Sequence, residues 1–169
     1  MVEIINEKDV LKTAIQMEKD GHSFYTKAAA QTTSETGRNF FESLAQDELL
    51  HLDVFQKLFE NTISKQEWTD LVNSSKKYAD IPIFPKNLHE KTSTNPDTNE
   101  LDALNIGMES EKEAIDYYGK FRDSVDDPNI KQIIEEIINQ EKNHYALLEQ
   151  EFYHLNKTGF WFELDYLGT

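Results

Sequence analysis

The chain contains no cysteine. This absence excludes disulfide bonds, zinc sites built from thiolates and iron–sulfur clusters held by cysteine. The sequence also lacks a long apolar run, since no stretch approaches the roughly 20 residues that cross a membrane as a helix. Residues 1–7 do not have the pattern of a signal peptide. We therefore expect a cytoplasmic protein that has no membrane partner.

Positive charge is scarce in this sequence. The chain has 17 Lys and Arg residues against 32 Asp and Glu residues, for a formal net charge of −15. Such a surface repels a phosphate backbone, which argues against a nucleic-acid partner, and it favours solubility. With 169 residues the chain is long enough for a sizeable core, so we expect a single domain over residues 1–169.

The spacing Glu-x-x-His occurs in two matched copies, Glu48 with His51 and Glu141 with His144, 93 residues apart. Positions i and i+3 lie on one face of a helix, so each pair can offer a carboxylate and an imidazole to one metal ion. A third pair, Glu151 with His154, has no counterpart at this offset. It begins about 80° around the same helix from Glu141, and we interpret it as coincidence.

The offset of 93 residues extends well beyond the two motifs. Glu18 corresponds to Glu111, and each precedes the motif glutamate of its own copy by thirty residues. Other matched positions are Gly21 with Ala114, Tyr25 with Tyr118, Glu42 with Glu135 and Phe59 with Phe152. This regularity indicates an internal duplication of a helical hairpin.

Apolar periodicity and capping residues predict four helices in an all-α bundle. The hairpins cover about 9–61 and 96–155, with turns at 32–34 and 127–128. The segment 62–95 between the hairpins is too long for a tight turn, so we predict a crossover that leaves the second and third helices parallel. Within it, a short helix is predicted at about 64–78. The tail, 156–169, is aromatic and is either a plug over one end of the bundle or an interface with a second subunit.

The four helices would each place one glutamate on the inward stripe, and two would add a histidine. The predicted set is Glu18, Glu48, His51, Glu111, Glu141 and His144. Two carboxylates ~5 Å apart repel by about 3 kcal/mol at an effective dielectric constant of ~20, so such a cluster needs compensating charge. Two divalent cations balance four carboxylates, and oxygen-rich ligation with one imidazole per metal favours iron or manganese over zinc.

This pattern resembles the ferritin-like di-iron carboxylate proteins, and within them the rubrerythrin-like group, over about residues 9–155. The resemblance implies that Glu18 and Glu111 are terminal ligands, that Glu48 and Glu141 bridge two iron ions, and that His51 and His144 each cap one ion. Tyr25 and Tyr118 lie seven residues after their glutamates. Each either hydrogen-bonds a ligand carboxylate or belongs to ordinary core packing.

The chain also departs from rubrerythrin itself. It has no rubredoxin-like domain, so electrons would come from a separate donor protein. The extra carboxylate of the peroxidase form, one turn after the ligand of the third helix, is replaced by Ala114. This replacement puts a redox-driven exchange between carboxylate and histidine ligands in question, and with it efficient reduction of peroxide.

The function that we expect is oxidation and reduction at a di-iron site that reacts with peroxide or dioxygen. Two alternatives stay open: iron binding or storage without turnover, and an interaction module stabilised by metal. A homodimer is expected from the aromatic tail and the resemblance. We expect His22 to be a core or rim residue and His89 and His154 to be surface residues, while Glu109 and Glu113 should face solvent.

Overall fold

A computed structural model describes residues 7–61 and 98–162. This part of the chain forms four helices and no strand, and the helices span Glu7–Gln31 (α1), Glu35–Glu60 (α2), Thr98–Ser124 (α3) and Pro128–Thr158 (α4). The predicted crossover at 62–95 and its short helix lie outside the described residues. α4 continues about one turn beyond the predicted end near residue 155. None of the described helices is both long and apolar enough to span a membrane.

The helix ends follow from local side chains. Ser34 caps α2, and its hydroxyl accepts a hydrogen bond from the backbone N–H of Gly37 at 3.3 Å. Asp127 caps α4 in the same way, and Pro128 occupies the first turn, where no backbone donor is needed. Gly159 ends α4 with a φ of 74°, a left-handed conformation that glycine adopts without steric cost.

The helices pack as two antiparallel hairpins, α1 with α2 and α3 with α4. α1 also runs antiparallel to α3, because Val10 contacts Tyr117 whereas Tyr25 contacts Glu111. It follows that α2 and α3 are parallel, which is the relative direction that the sequence predicts.

The core consists of two apolar clusters with a polar layer between them. One cluster holds Leu11, Ala14, Val54, Phe55, Leu58, Ala114, Tyr118, Phe121, Val125, Ile133, Ile134, Ile137 and Ile138. The other holds Tyr25, Ala28, Ala29, Phe40, Phe41, Leu44, Ala45, Leu104, Met108, Leu147, Leu148, Leu155 and Trp161. Both clusters draw residues from all four helices, so the glutamates and histidines at mid-helix are enclosed from both ends.

Trp161 closes one end of the bundle, as the plug interpretation of the tail predicts. Its ring lies 5.6 Å from that of Phe40 and 5.5 Å from that of Phe41, and its indole N–H donates to Glu100 at 3.0 Å. The ring lies directly on α2 at Gly37, where a β-carbon would come within 2.3 Å of it. Residues 163–169 of the tail lie outside the described range.

Candidate metal centre

The six residues that the sequence singles out lie together at the centre of the bundle, and each is at most 5% exposed. They form two overlapping groups whose potential ligand atoms lie within 4.8 Å of one another. The first group is Glu18, Glu48, His51 and Glu141, and the second is Glu48, Glu111, Glu141 and His144. Glu48 and Glu141 are therefore common to both groups.

Glu141 lies between the two imidazoles. Its Oε1 is 3.0 Å from Nδ1 of His51, and its Oε2 is 3.0 Å from Nδ1 of His144. The terminal carboxylates complete the two groups: Glu18 Oε2 is 3.5 Å from Nδ1 of His51, and Glu111 Oε1 is 3.7 Å from Nδ1 of His144. Both histidines thus present Nδ1 to the carboxylates, with their rings stacked at a centroid separation of 5.7 Å.

The outer nitrogen of each histidine is held by a residue from the opposite motif. Nε2 of His51 donates to Oε1 of Gln140 at 2.8 Å, and Nε2 of His144 donates to Oδ2 of Asp47 at 3.2 Å. Asp47 and Gln140 each directly precede a motif glutamate and are themselves 93 residues apart. Sequence reasoning missed this pair, although the repeat offset was the signal that could have found it.

The two candidate tyrosines donate hydrogen bonds across the halves of the duplication. The hydroxyl of Tyr25, on α1, donates to Glu111 on α3, and the hydroxyl of Tyr118, on α3, donates to Glu18 on α1. Burial, together with the nearby carboxylates, raises the pKa of both phenols well above the usual value. The hydroxyls therefore keep their protons and act as donors to the terminal carboxylates.

Burial and mutual repulsion distribute protons unevenly among the carboxyls. Burial, and then the charge of Glu141, raise the pKa of Glu18, Glu48 and Glu111, the last to about 7. Burial alone would raise the pKa of Glu141 too, but the two histidines bring it below the usual range. Burial likewise opposes a charge on His51 and His144, yet the surrounding carboxylates raise the pKa of both well above its usual value.

The donor set fits a pair of metal ions. Several buried polar atoms of the centre make no hydrogen bond of good geometry with described residues, among them Glu18 Oε2, Glu48 Oε1, His51 Nδ1 and both carboxylate oxygens of Glu141. Leaving such atoms without a partner in a buried site is costly. Two metal ions bound between the four carboxylates and the two imidazoles would satisfy these atoms by coordination. A donor set rich in oxygen is typical of iron or manganese sites.

The remaining candidates lie away from these two groups. His22 is half-buried, as a rim residue would be, with Nδ1 2.9 Å from the carbonyl oxygen of Ala45. His154 was predicted to be a surface residue but is half-buried, because its ring packs against that of Phe162. Glu109 and Glu113 are exposed on α3, as predicted. His89 lies outside the described residues.

Two solved structures share this fold. A hypothetical protein from Pyrococcus furiosus superimposes with a TM-score of 0.66 and 19% identity, over 89% of this chain and 90% of that protein. A Thermotoga maritima protein, described as ferritin-like and of the diiron-carboxylate type, has a TM-score of 0.62 and 23% identity, over 88% of this chain and 95% of that one. No curated protein matches the sequence.

The sequence itself matches the rubrerythrin family over residues 9–152. That range contains all four helices nearly in full and all six residues of the buried cluster. The expected ferritin-like fold and the resemblance to rubrerythrin are confirmed, and the chain belongs to the rubrerythrin family.

Proposed function

We propose that this protein is a di-iron oxidoreductase whose ferrous site reacts with peroxide or dioxygen. The observation that supports it most strongly is the pair of overlapping groups of four ligands, which share Glu48 and Glu141 at the centre of the bundle. A single mononuclear site would not need two groups, and a structural zinc site would favour four nitrogen or sulfur ligands.

Each residue of the cluster has a role in this proposal. Glu48 and Glu141 would bridge the two ions, because they alone belong to both groups. Glu18 and His51 would complete one position, and Glu111 and His144 the other. Bound iron would supply one-electron chemistry between its ferrous and ferric states.

The surrounding residues orient the ligands and exclude water. Tyr118 and Tyr25 fix the terminal carboxylates through their hydroxyl groups, and the partners of the histidine Nε2 atoms fix the imidazole rings. The two apolar clusters enclose the site from both ends of the bundle, which limits access to small oxidants.

Three further parts of the proposal concern partners and location. Without cysteine the chain has no iron–sulfur or rubredoxin-type centre of its own, so the electrons would come from a separate donor protein. We also propose a homodimer in the cytoplasm. A mass measurement in solution tests the dimer, and it separates a dimer from the closed shell that iron storage needs.

The reaction is tested by loading the purified protein with ferrous iron under anaerobic conditions. We expect about two iron ions per chain, and oxidation of that iron when peroxide or dioxygen is added, followed by the rise of ferric absorption. Repeated cycles with an added reductant should then consume many equivalents of oxidant. The double variant Glu48→Gln, Glu141→Gln removes both shared carboxylates, and the variant Glu109→Gln, Glu113→Gln is the matched control on an exposed face.

The outcomes separate the possible functions. Oxidation that stops after one turnover, despite excess reductant, would support iron binding or storage instead of catalysis. If ferrous iron bound tightly but neither peroxide nor dioxygen oxidised it, the result would support an interaction module that is stabilised by metal. Equal iron content in the control and in the Glu48, Glu141 variant would show that iron binds elsewhere and would overturn the proposal.

A further inference from the structure

The two halves of the metal centre differ in the residue that supports the histidine. His144 donates from Nε2 to a carboxylate oxygen of Asp47, whereas His51 donates from Nε2 to the amide oxygen of Gln140. Asp47 and Gln140 are buried, at 6% and 1% exposure, and occupy equivalent positions of the duplication. The duplication has therefore kept the hydrogen bond but changed the charge of its acceptor.

Most other parts of the two positions are matched. Each has one terminal glutamate, one histidine whose Nδ1 faces the carboxylates, and one tyrosine hydroxyl that donates to the terminal glutamate. Both share Glu48 and Glu141. The replacement of a carboxylate by an amide is thus the principal chemical difference between the surroundings of the two histidines.

A carboxylate that accepts a hydrogen bond from an imidazole makes that imidazole a stronger metal ligand than an amide acceptor does. The negative charge of the acceptor polarises the N–H bond and makes the opposite nitrogen a better electron donor to the metal. It also adds one negative charge near that metal position, which attracts a divalent cation in a buried environment. An amide oxygen orients the ring but provides no net charge.

We propose that the two metal positions are inequivalent, and that the position formed by Glu111 and His144 fills first because Asp47 supports its histidine. This inference rests on the proposed di-metal site. Glu48 contributes to the same preference, since its Oε1 lies 3.3 Å from Nδ1 of His144. The position formed by Glu18 and His51 is then the weaker one, and its ion is the one that exchanges more readily.

The test is a titration of the metal-free protein with Co²⁺, which reports binding through its visible spectrum without oxidation by air. We expect two resolved steps in the wild-type protein. A crystal prepared with one equivalent of Co²⁺ should show anomalous density beside His144 and much less beside His51. This readout does not depend on any activity of the iron-loaded protein.

Isosteric variants assign the difference to the two supporting residues. Asp47→Asn should weaken the first step by about tenfold to a hundredfold, and Gln140→Glu should strengthen the second by a comparable factor. In the double variant Asp47→Asn, Gln140→Glu, the anomalous density at one equivalent should move to the position beside His51. If Asp47→Asn does not fold, Gln140→Glu still tests the proposal through the second step.

Two results would count against the inference in different ways. Equal occupancy of both positions at one equivalent, or steps that do not change in Gln140→Glu, would overturn the inequivalence and leave the di-metal site intact. Failure of the wild-type protein to bind Co²⁺ at the cluster would overturn the site itself, and the proposed function with it.

Discussion

Gly21 of α1 leaves room for the carboxylate of Glu48 on α2. A β-carbon at position 21 would lie 2.4 Å from Oε2 of Glu48, closer than such atoms approach in folded proteins. The equivalent position in the second half of the duplication is Ala114, so glycine is not required by the repeat itself. It is required by the position of one carboxylate that belongs to both groups of the metal centre.

Gly21→Ala should weaken metal binding by at least tenfold while leaving the fold intact. The added methyl group displaces a flexible carboxylate and no backbone atom, and alanine favours a helix by about 1 kcal/mol over glycine. We therefore expect the free energy of unfolding of the metal-free protein to change by no more than about 1 kcal/mol. A titration with Co²⁺ and a denaturant unfolding curve measure the two effects separately.

Gly119→Ala is the matched control for that substitution. Gly119 also lies within a helix, but among the described residues no atom outside its immediate neighbours and the backbone of its own helix lies within 4 Å of the place that its β-carbon would occupy. This variant should keep the wild-type metal affinity and gain up to about 1 kcal/mol of stability. If Gly21→Ala and Gly119→Ala bound metal equally well, the position of Glu48 would not matter for binding.

Tyr118→Phe removes the hydrogen bond that holds the terminal carboxylate Glu18. We expect metal affinity to fall by roughly tenfold, because residues that support ligands commonly contribute that much. Tyr117→Phe is the control on the neighbouring residue, since its hydroxyl donates to the backbone oxygen of Val10 at 3.3 Å and not to a residue of the centre. A loss of affinity in both variants would indicate a general effect on α3.

The six residues of the centre could be predicted because the duplication repeats their spacing in register. Spacing along one helix fixes which residues share a face, so Glu48 and His51 lie together on α2. Glu18 meets them because it lies on the inward stripe of α1. The residue across the bundle that meets Nε2 of His51 depends on the axial offset and rotation of α2 against α4. That offset cannot be inferred from the sequence, and so Gln140 was not predicted as the hydrogen-bond acceptor for His51.

The tyrosines show the same limit of sequence reasoning. Their distance from the preceding glutamate suggested a hydrogen bond to a ligand, but it could not show that the bond crosses to the other half. Tyr25 reaches Glu111 because α1 and α3 run antiparallel at the centre. The plug at Trp161 is a related case, since aromatic composition predicts burial without identifying Glu100 as the hydrogen-bond partner.

Metal binding should release protons, and the affinity should therefore rise with pH. In the metal-free protein the pKa of His51 and His144 is raised well above 6.5, because the carboxylates more than offset the effect of burial, so both rings are protonated at pH 7. Coordination through Nδ1 removes those two protons. Coordination by Glu48 and Glu111, whose pKa values are also raised, displaces protons as well, so at least two per chain should be released. Calorimetric titrations in buffers of different ionisation enthalpy count them. An affinity that stays constant between pH 6 and pH 8 would contradict this expectation.

The same proton linkage gives metal removal a pH dependence. The raised pKa of the two histidines stabilises the metal-free fold below pH 6.5, and this contribution is lost as pH rises through their folded-state values. Metal that binds only the native state stabilises it by an amount that grows with the logarithm of the ratio of free metal concentration to Kd, and so a lower Kd gives a larger stabilisation. The increase in melting temperature on adding metal should therefore be larger at pH 8 than at pH 6. Thermal unfolding with and without a chelator measures it.

Glu151 is a buried carboxyl outside the metal centre. It lies on α4 at 1% exposure, and its Oε2 accepts a hydrogen bond from the backbone N–H of Phe162 at 3.2 Å. Burial raises its pKa from 4.5 to about 8, although the bond to Phe162 acts in the opposite direction. Glu151 is therefore protonated in the folded protein at neutral pH and ionised in the unfolded chain.

Glu151→Gln should stabilise the protein at pH 8 and have little effect at pH 4.5. Since the folded-state pKa is raised, the native state binds more protons between pH 4.5 and about 8, and the free energy of unfolding falls with rising pH across that window. The shift sets an upper limit of about 5 kcal/mol on the difference at pH 8. Glutamine keeps an oxygen for Phe162 but cannot ionise. Denaturant unfolding of the variant at several pH values should therefore show a smaller fall in the free energy of unfolding between pH 4.5 and pH 8.

Glu113→Gln changes a glutamate at an exposed site and is the control. Its free energy of unfolding should depend on pH as that of the wild-type protein does. If Glu151→Gln showed the same pH dependence as the wild-type protein and this control, Glu151 would ionise freely in the fold.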